Sequence, residues 1–82
     1  MRVAVFSTRP YDREFLERAR LAASPDTLFD YLEARLDLST VAAAAGAQAV
    51  CAFVNDSLDA PVLARLQQLG GRLILLRCAG FN

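Results

Sequence analysis

Six consecutive apolar residues, Ala49-Val50-Cys51-Ala52-Phe53-Val54, form the most restrictive segment of this chain. A strand with one wet face alternates apolar and polar residues. A run with no polar member is a strand buried on both faces. Gln48–Val54 therefore reads as a strand at the centre of a sheet. Arg2-Val3-Ala4-Val5-Phe6-Ser7 has the same character near the start, and Arg72-Leu73-Ile74-Leu75-Leu76 near the end. Strands buried on both sides need helices above and below them, which is the arrangement of a parallel sheet with helical crossovers.

The intervening segments supply those crossovers. Ser7-Thr8-Arg9-Pro10-Tyr11 breaks the first strand, because Pro10 has no N–H to give to a ladder. Asp12 is positioned to cap a helix with Phe15, Leu16, Ala19, Ala22 and Ala23 on one stripe, ended by Pro25. Thr27–Leu32 partly alternates and reads as a more polar, edge-lying strand. Ser39 is expected to cap a short alanine helix, Thr40–Ala45, and Gly46 suits its stop. Asn55-Asp56-Ser57 is the polar loop after the third strand. Asp59 or Ala60 opens a helix with Pro61 in its first turn. Its buried stripe is Val62, Leu63, Leu66 and Leu69. Gly70-Gly71 ends it before the fourth strand. The order is β-α-β-α-β-α-β, with no internal repeat and no low-complexity linker.

Bulk properties narrow the function classes. Eighty-two residues make one domain at most. Net charge is zero, all nine basic residues are Arg, and no basic face interleaved with aromatics is present, which argues against nucleic-acid binding. No apolar stretch approaches the about 20 residues that span a bilayer. The start is too short and too soon polar for a signal peptide, so the expected location is the cytoplasm. Cys51 and Cys78 are then expected as reduced thiols, Cys51 packing as a small hydrophobe. With no histidine and no CxxC pair, zinc has almost no ligands to use.

In a parallel sheet all strand C-termini lie along one edge, where open α/β sheets bind ligands. Ser7-Thr8, Asn55-Asp56 and Cys78-Ala79-Gly80 would line it. Exposed N–H groups in the Ala79-Gly80 turn form an anion-sized concavity, and Gly80 lets a ligand approach the backbone. An ordinary turn after a strand explains the same residues. Phe53 is either core or an apolar wall. Turn chemistry explains Asn55 and Asp56, and capping explains Asp12. Arg77 either attracts an anion or bonds loop carbonyls. Cys78 adjoins the proposed pocket, but no histidine or lysine in the chain would activate it.

Three segments carry a family likeness: Arg2-Val3-Ala4-Val5-Phe6-Ser7-Thr8 with Tyr11-Asp12, then Ala49-Val50-Cys51-Ala52-Phe53-Val54-Asn55-Asp56, then Leu76-Arg77-Cys78-Ala79-Gly80-Phe81-Asn82. In order and spacing they resemble the D-2-hydroxyacid dehydrogenase family, in its fermentative bacterial D-lactate branch. The third segment resembles that family's arginine-x-x-glycine turn at the substrate pocket. The resemblance implies a flavodoxin-like sheet of order 2-1-3-4, here ending after the fourth strand. Residues 1–82 would be the N-terminal part of the substrate-binding (catalytic) domain, with the dinucleotide-binding domain absent. The implied activity is reduction of pyruvate, or a similar small 2-oxo acid, to D-lactate with NADH. The implied site is the main-chain N–H groups of Ala79 and Gly80 on the substrate carboxylate, Phe53 beside its side group, and Cys78 adjoining. The family's glycine-rich dinucleotide loop, substrate-clamping arginine and histidine–glutamate pair would lie beyond Asn82, and Arg77 is not that arginine. Alone, the chain is expected to bind no cofactor and to be inactive.

Other classes fit less well. A phosphoacceptor receiver needs an acidic pair after the first strand and a lysine further on; the chain has Ser7-Thr8 and no lysine. A flavin-binding flavodoxin needs a phosphate loop where Arg9-Pro10-Tyr11 stands. A third expectation is self-association, because an apolar fourth strand at the edge recruits another chain.

Overall fold

A computed structural model of the chain describes residues 1–53 and 56–77, with Arg77 described by its backbone. Four strands, β1 (Arg2–Val5), β2 (Leu28–Tyr31), β3 (Ala49–Phe53) and β4 (Leu73–Arg77), form one sheet in the order β2-β1-β3-β4. Every pairing is parallel, with Val3 opposite Phe29, Val5 opposite Cys51, and Phe53 opposite Arg77. The expected order 2-1-3-4 is the one observed.

Period-two alternation divides each central strand between two apolar clusters. Ala4 and Phe6 with Val50 and Ala52 face α2 (Ala60–Gln68) and a short 3-10 helix (Val41–Ala44), whose Val62, Leu66, Val41 and Ala44 complete that side with Leu36 and Ala47. Val3 and Val5 with Ala49 and Cys51 face the opposite way, toward α1 (Pro10–Ala23), and are met by Leu16, Phe29 and Tyr31. Cys51 is a buried member of this second cluster.

Helix α1 departs from the expected stripe. None of its residues is buried, and Phe15 is 70% exposed. Leu16 alone among the stripe residues packs on the sheet cluster; Ala19, Ala22 and Ala23 are exposed. The small alanines offer little apolar area, so polar contacts orient the helix instead. Its cap also differs. Arg9 is the N-cap, Pro10 opens the first turn, and Asp12 sits three residues in, accepting the Arg9 N–H at 3.0 Å. Pro10 sets that register: its φ suits the first helical position, where a missing N–H is harmless.

The alanine segment forms a 3-10 turn rather than an α-helix, and Ser39 is not its cap. Asp37 takes that work. Its Oδ1 accepts the Ser39 N–H at 2.9 Å, the Ser39 hydroxyl at 2.6 Å and the Thr40 N–H at 3.1 Å. These donors hold the Asp37 carboxyl below the usual carboxylate range, the Ser39 hydroxyl foremost. Gly46 ends the segment at φ +84°, a backbone region that favours glycine. Asp59 caps α2 by accepting the Val62 N–H at 3.2 Å. Val62 and Leu66 of the expected stripe are buried and Leu69 is partly buried, but Leu63 is 44% exposed, beside the open edge at β4. Among the described residues no helix is long and apolar enough to cross a membrane.

Candidate functional site

The parallel sheet brings the ends of β1 and β3 to one rim, and there the two strands part. Near this end the Phe6 N–H donates to the Cys51 carbonyl at 3.0 Å. Ser7 then adopts φ +57°, unusual for a residue with a side chain. Its N–H turns to the Ala34 carbonyl at 2.9 Å, and both the N–H and the hydroxyl of Thr8 bond the Leu32 carbonyl at 3.0 and 2.9 Å. The chain after β1 thus swings to the β2 side. In the order 2-1-3-4 the chain leaves β1 one way and reaches β3 on the other, so this gap is the topological switch point, where ligands of open α/β sheets bind.

Asp56 fills the base of the gap. One carboxylate oxygen accepts the Ser7 hydroxyl at 2.6 Å and the Leu36 N–H at 2.7 Å; the other accepts the Phe53 N–H at 2.6 Å. The Asp56 N–H donates to the Phe53 carbonyl at 2.9 Å, and Ser57 N–H to the Leu36 carbonyl at 2.8 Å. Hydrogen bonds to a charged acceptor contribute about 1.5–3 kcal/mol each, so this carboxylate is a major tie between three segments. The turn role expected of Asp56 holds, and its reach is wider than a turn requires.

Phe53, half-buried, ends β3 at this rim, opposite Arg77 at the end of β4. The other expected site residues, Cys78, Ala79 and Gly80, lie outside the described residues, as does Asn55. The described part of the site is therefore Ser7, Phe53, Asp56 and the backbone of Arg77.

A second concavity lies on the β2 side, lined by Thr8, Arg9, Arg13, Glu14, Glu17 and Tyr31, among others. Glu17, Arg13 and Tyr31 of this lining dock α1 against β2. Glu17 receives a two-pronged contact from Arg20 and the Tyr31 hydroxyl at 2.5 Å. Arg20 also reaches the Pro25 and Thr27 carbonyls, and the Arg13 guanidinium lies 5.4 Å from the centre of the Tyr31 ring. Composition gave no hint of this cluster. The i,i+3 spacing of Glu17 and Arg20 was the only legible signal.

Arg20, then Tyr31, pulls the Glu17 carboxyl from about 4.5 down to about 2. An unfolded carboxyl titrates near 4.3, so between those values the folded chain binds fewer protons and stability rises with pH. The Glu17 contribution is present above about pH 5 and lost as pH falls toward 2. In urea unfolding, the midpoint gap between the natural chain and Glu17→Gln should shrink steadily across that range. A gap of constant size from pH 7 to pH 2 contradicts the assignment.

A dinucleotide does not fit these residues. The turn into α1 carries Arg9 and Pro10 rather than a glycine-rich loop, and the Arg9 N–H is already bound by the Asp12 carboxylate.

Residues 3–82 match the D-isomer specific 2-hydroxyacid dehydrogenase catalytic domain. The chain is 46% identical over its whole length to 2-hydroxyacid dehydrogenase A of Aspergillus oryzae and 42% identical to the D-lactate dehydrogenase of Escherichia coli. It superposes over its full length on the Salmonella D-lactate dehydrogenase structure with a TM-score of 0.90 at 40% identity. In each comparison it spans 24% of the other protein's length.

Proposed function

The chain belongs to the D-isomer-specific 2-hydroxyacid dehydrogenase family, and from that membership we propose that it is the N-terminal part of the substrate-binding domain of an enzyme that reduces pyruvate, or a similarly small 2-oxo acid, to D-lactate with NADH. The observation that carries this reading is the agreement of the whole chain, in sequence and in backbone, with D-lactate dehydrogenases. In this reading the main-chain N–H groups of Ala79 and Gly80 donate to the substrate carboxylate. Phe53 walls off the substrate's side group, and Cys78 adjoins the pocket. Hydride comes from NADH held by another domain of the parent enzyme, and the proton donor also stands outside residues 1–82. In this reading residues 1–82 alone supply substrate-binding groups and no reduction, because both the hydride donor and the proton donor come from elsewhere.

Grafting tests the reading. This segment replaces the matching 24% of the Escherichia coli enzyme, to which it is 42% identical. The chimera should reduce pyruvate with a kcat/KM within about tenfold of the recipient enzyme, because the groups that move hydride and proton are unchanged. A folded chimera that binds NADH and leaves pyruvate untouched contradicts the proposal.

The isolated chain has a second property in this reading, self-association. Strand β4 lies at the sheet edge, with Leu73, Leu75 and Leu76 47, 41 and 68% exposed. Such an edge pairs with the same strand of a second copy. Sedimentation at high concentration should show dimers, and Leu75→Lys should restore the 8.9 kDa monomer, since a charged edge resists pairing. A natural chain that stays monomeric at every concentration contradicts this.

A further inference from the structure

We infer that Asp56 is a positioning residue for substrate selection: wedged where β1 and β3 part, its carboxylate fixes the main chain of Phe53 and so sets the wall against the substrate's side group. The inference rests on the role proposed above for Phe53.

Geometry carries it. A residue that only closes a turn bonds its near neighbours. Asp56 does bond Phe53, three positions back, through both its own N–H and its side chain. Yet it also reaches Leu36, 20 positions away, and Ser7, 49 positions away. Three separate segments meet on one carboxylate at the switch-point gap. Ser7 is held there at φ +57°, and such outliers persist only where surrounding bonds over-determine them. The division of labour is also specific. One oxygen serves Ser7 and Leu36; the other serves the Phe53 N–H.

Direct binding of the substrate by Asp56 is unfavourable. A 2-oxo acid is an anion, and a second carboxylate would face it with like charge. The influence of Asp56 therefore passes through Phe53. Small 2-oxo acids differ in the bulk of the group next to the carbonyl, and a wall discriminates among them only if its backbone is held. The bond from the Phe53 N–H to the Asp56 carboxylate at 2.6 Å adds such a hold to the pairing of Phe53 with Arg77 in the sheet.

The test uses the full-length chimera described above, with Asp56→Ala and Ser7→Gly variants. Ser7→Gly removes one partner of the carboxylate and tolerates the positive φ, while leaving the Phe53 anchor in place. In Asp56→Ala, preference for pyruvate over 4-methyl-2-oxopentanoate should fall about tenfold, through KM, with kcat changed less than about threefold. Amide exchange at Phe53 should accelerate in Asp56→Ala and stay unchanged in Ser7→Gly. Should Asp56→Ala fail to fold, Asp56→Asn, which keeps one acceptor oxygen for three donors, gives the same comparison with a smaller shift. An equal loss of kcat/KM for both acids, or unaltered exchange at Phe53, overturns the inference. A parent chimera inert toward pyruvate overturns the functional reading instead, and the exchange measurement still decides whether Asp56 holds the wall.

Discussion

Replacing Phe6 with alanine should destabilise the isolated chain by about 3–5 kcal/mol. Phe6 is 0% exposed and sits among Leu36, Val41, Val50 and Val62 on the α2 side of the sheet. A domain of this length has a total stability of about 4–12 kcal/mol, so the substitution removes a large share of it. Urea unfolding followed by circular dichroism reads the loss as a midpoint shift of about 2 M or more, or as a chain unfolded in buffer. Phe15→Ala is the matched control. The residue type and the deletion are the same, but Phe15 is 70% exposed on α1, and its loss should stay within about 0.5 kcal/mol. Equal effects at the two positions contradict the placement of the core.

The second large effect concerns binding. In the chimera, Ala79→Pro should raise KM for pyruvate about 10- to 150-fold, since proline has no N–H and one hydrogen bond to a charged carboxylate contributes about 1.5–3 kcal/mol. Turnover should change much less, because the carboxylate is held alike before and during reaction. Ala79→Ser keeps the N–H and should leave KM within about threefold. Sensitivity to serine as great as to proline would mean that the side chain at this position, and not the main chain, governs binding.

The contrast between Phe6 and Phe15 also shows which parts of the fold were legible in the sequence. Both-face burial needs an unbroken apolar run, and β1 and β3 carried one each. Parallel pairing followed from that pattern, whereas the 2-1-3-4 order came from the family likeness. Helix α1 carried a helical stripe as well, but its alanines provide too little area to decide which side docks. Glu17, Arg20, Tyr31 and Arg13 decide it, and the contacts of Tyr31 with Glu17 and with Arg13 depend on tertiary approach. Capping was misread for a related reason. Asp12 and Ser39 are residue types that cap, and each lies within three positions of the actual cap. The register was set by Pro10 in one case and by the Asp37 side chain in the other.

The site divides in the same way. The rim was legible because strand ends in a parallel sheet must gather on one edge, and Phe53 and Arg77 are indeed opposite one another there. An aspartate just after a strand apolar on both faces was the visible sign of Asp56. Its bonds to Ser7 and Leu36 were beyond sequence reasoning, because neither separation has any local periodicity. The reading of Arg77–Asn82 as a substrate-binding turn rests on family likeness; the physical chemistry of those six residues alone leaves it between an ordinary turn and an anion cradle, and residues 78–82 lie outside the described residues.

In the proposed reading, main-chain amides of Ala79 and Gly80 grip the carboxylate of a small 2-oxo acid at this sheet edge. A crystal structure of the chimera with oxamate, an unreactive analogue of pyruvate, tests it directly. The oxamate carboxylate should lie within hydrogen-bonding distance of the Ala79 and Gly80 N–H groups, with the far end of the molecule facing Phe53. Oxamate bound with its carboxylate away from those amides, or with Phe53 turned from the ligand, contradicts it.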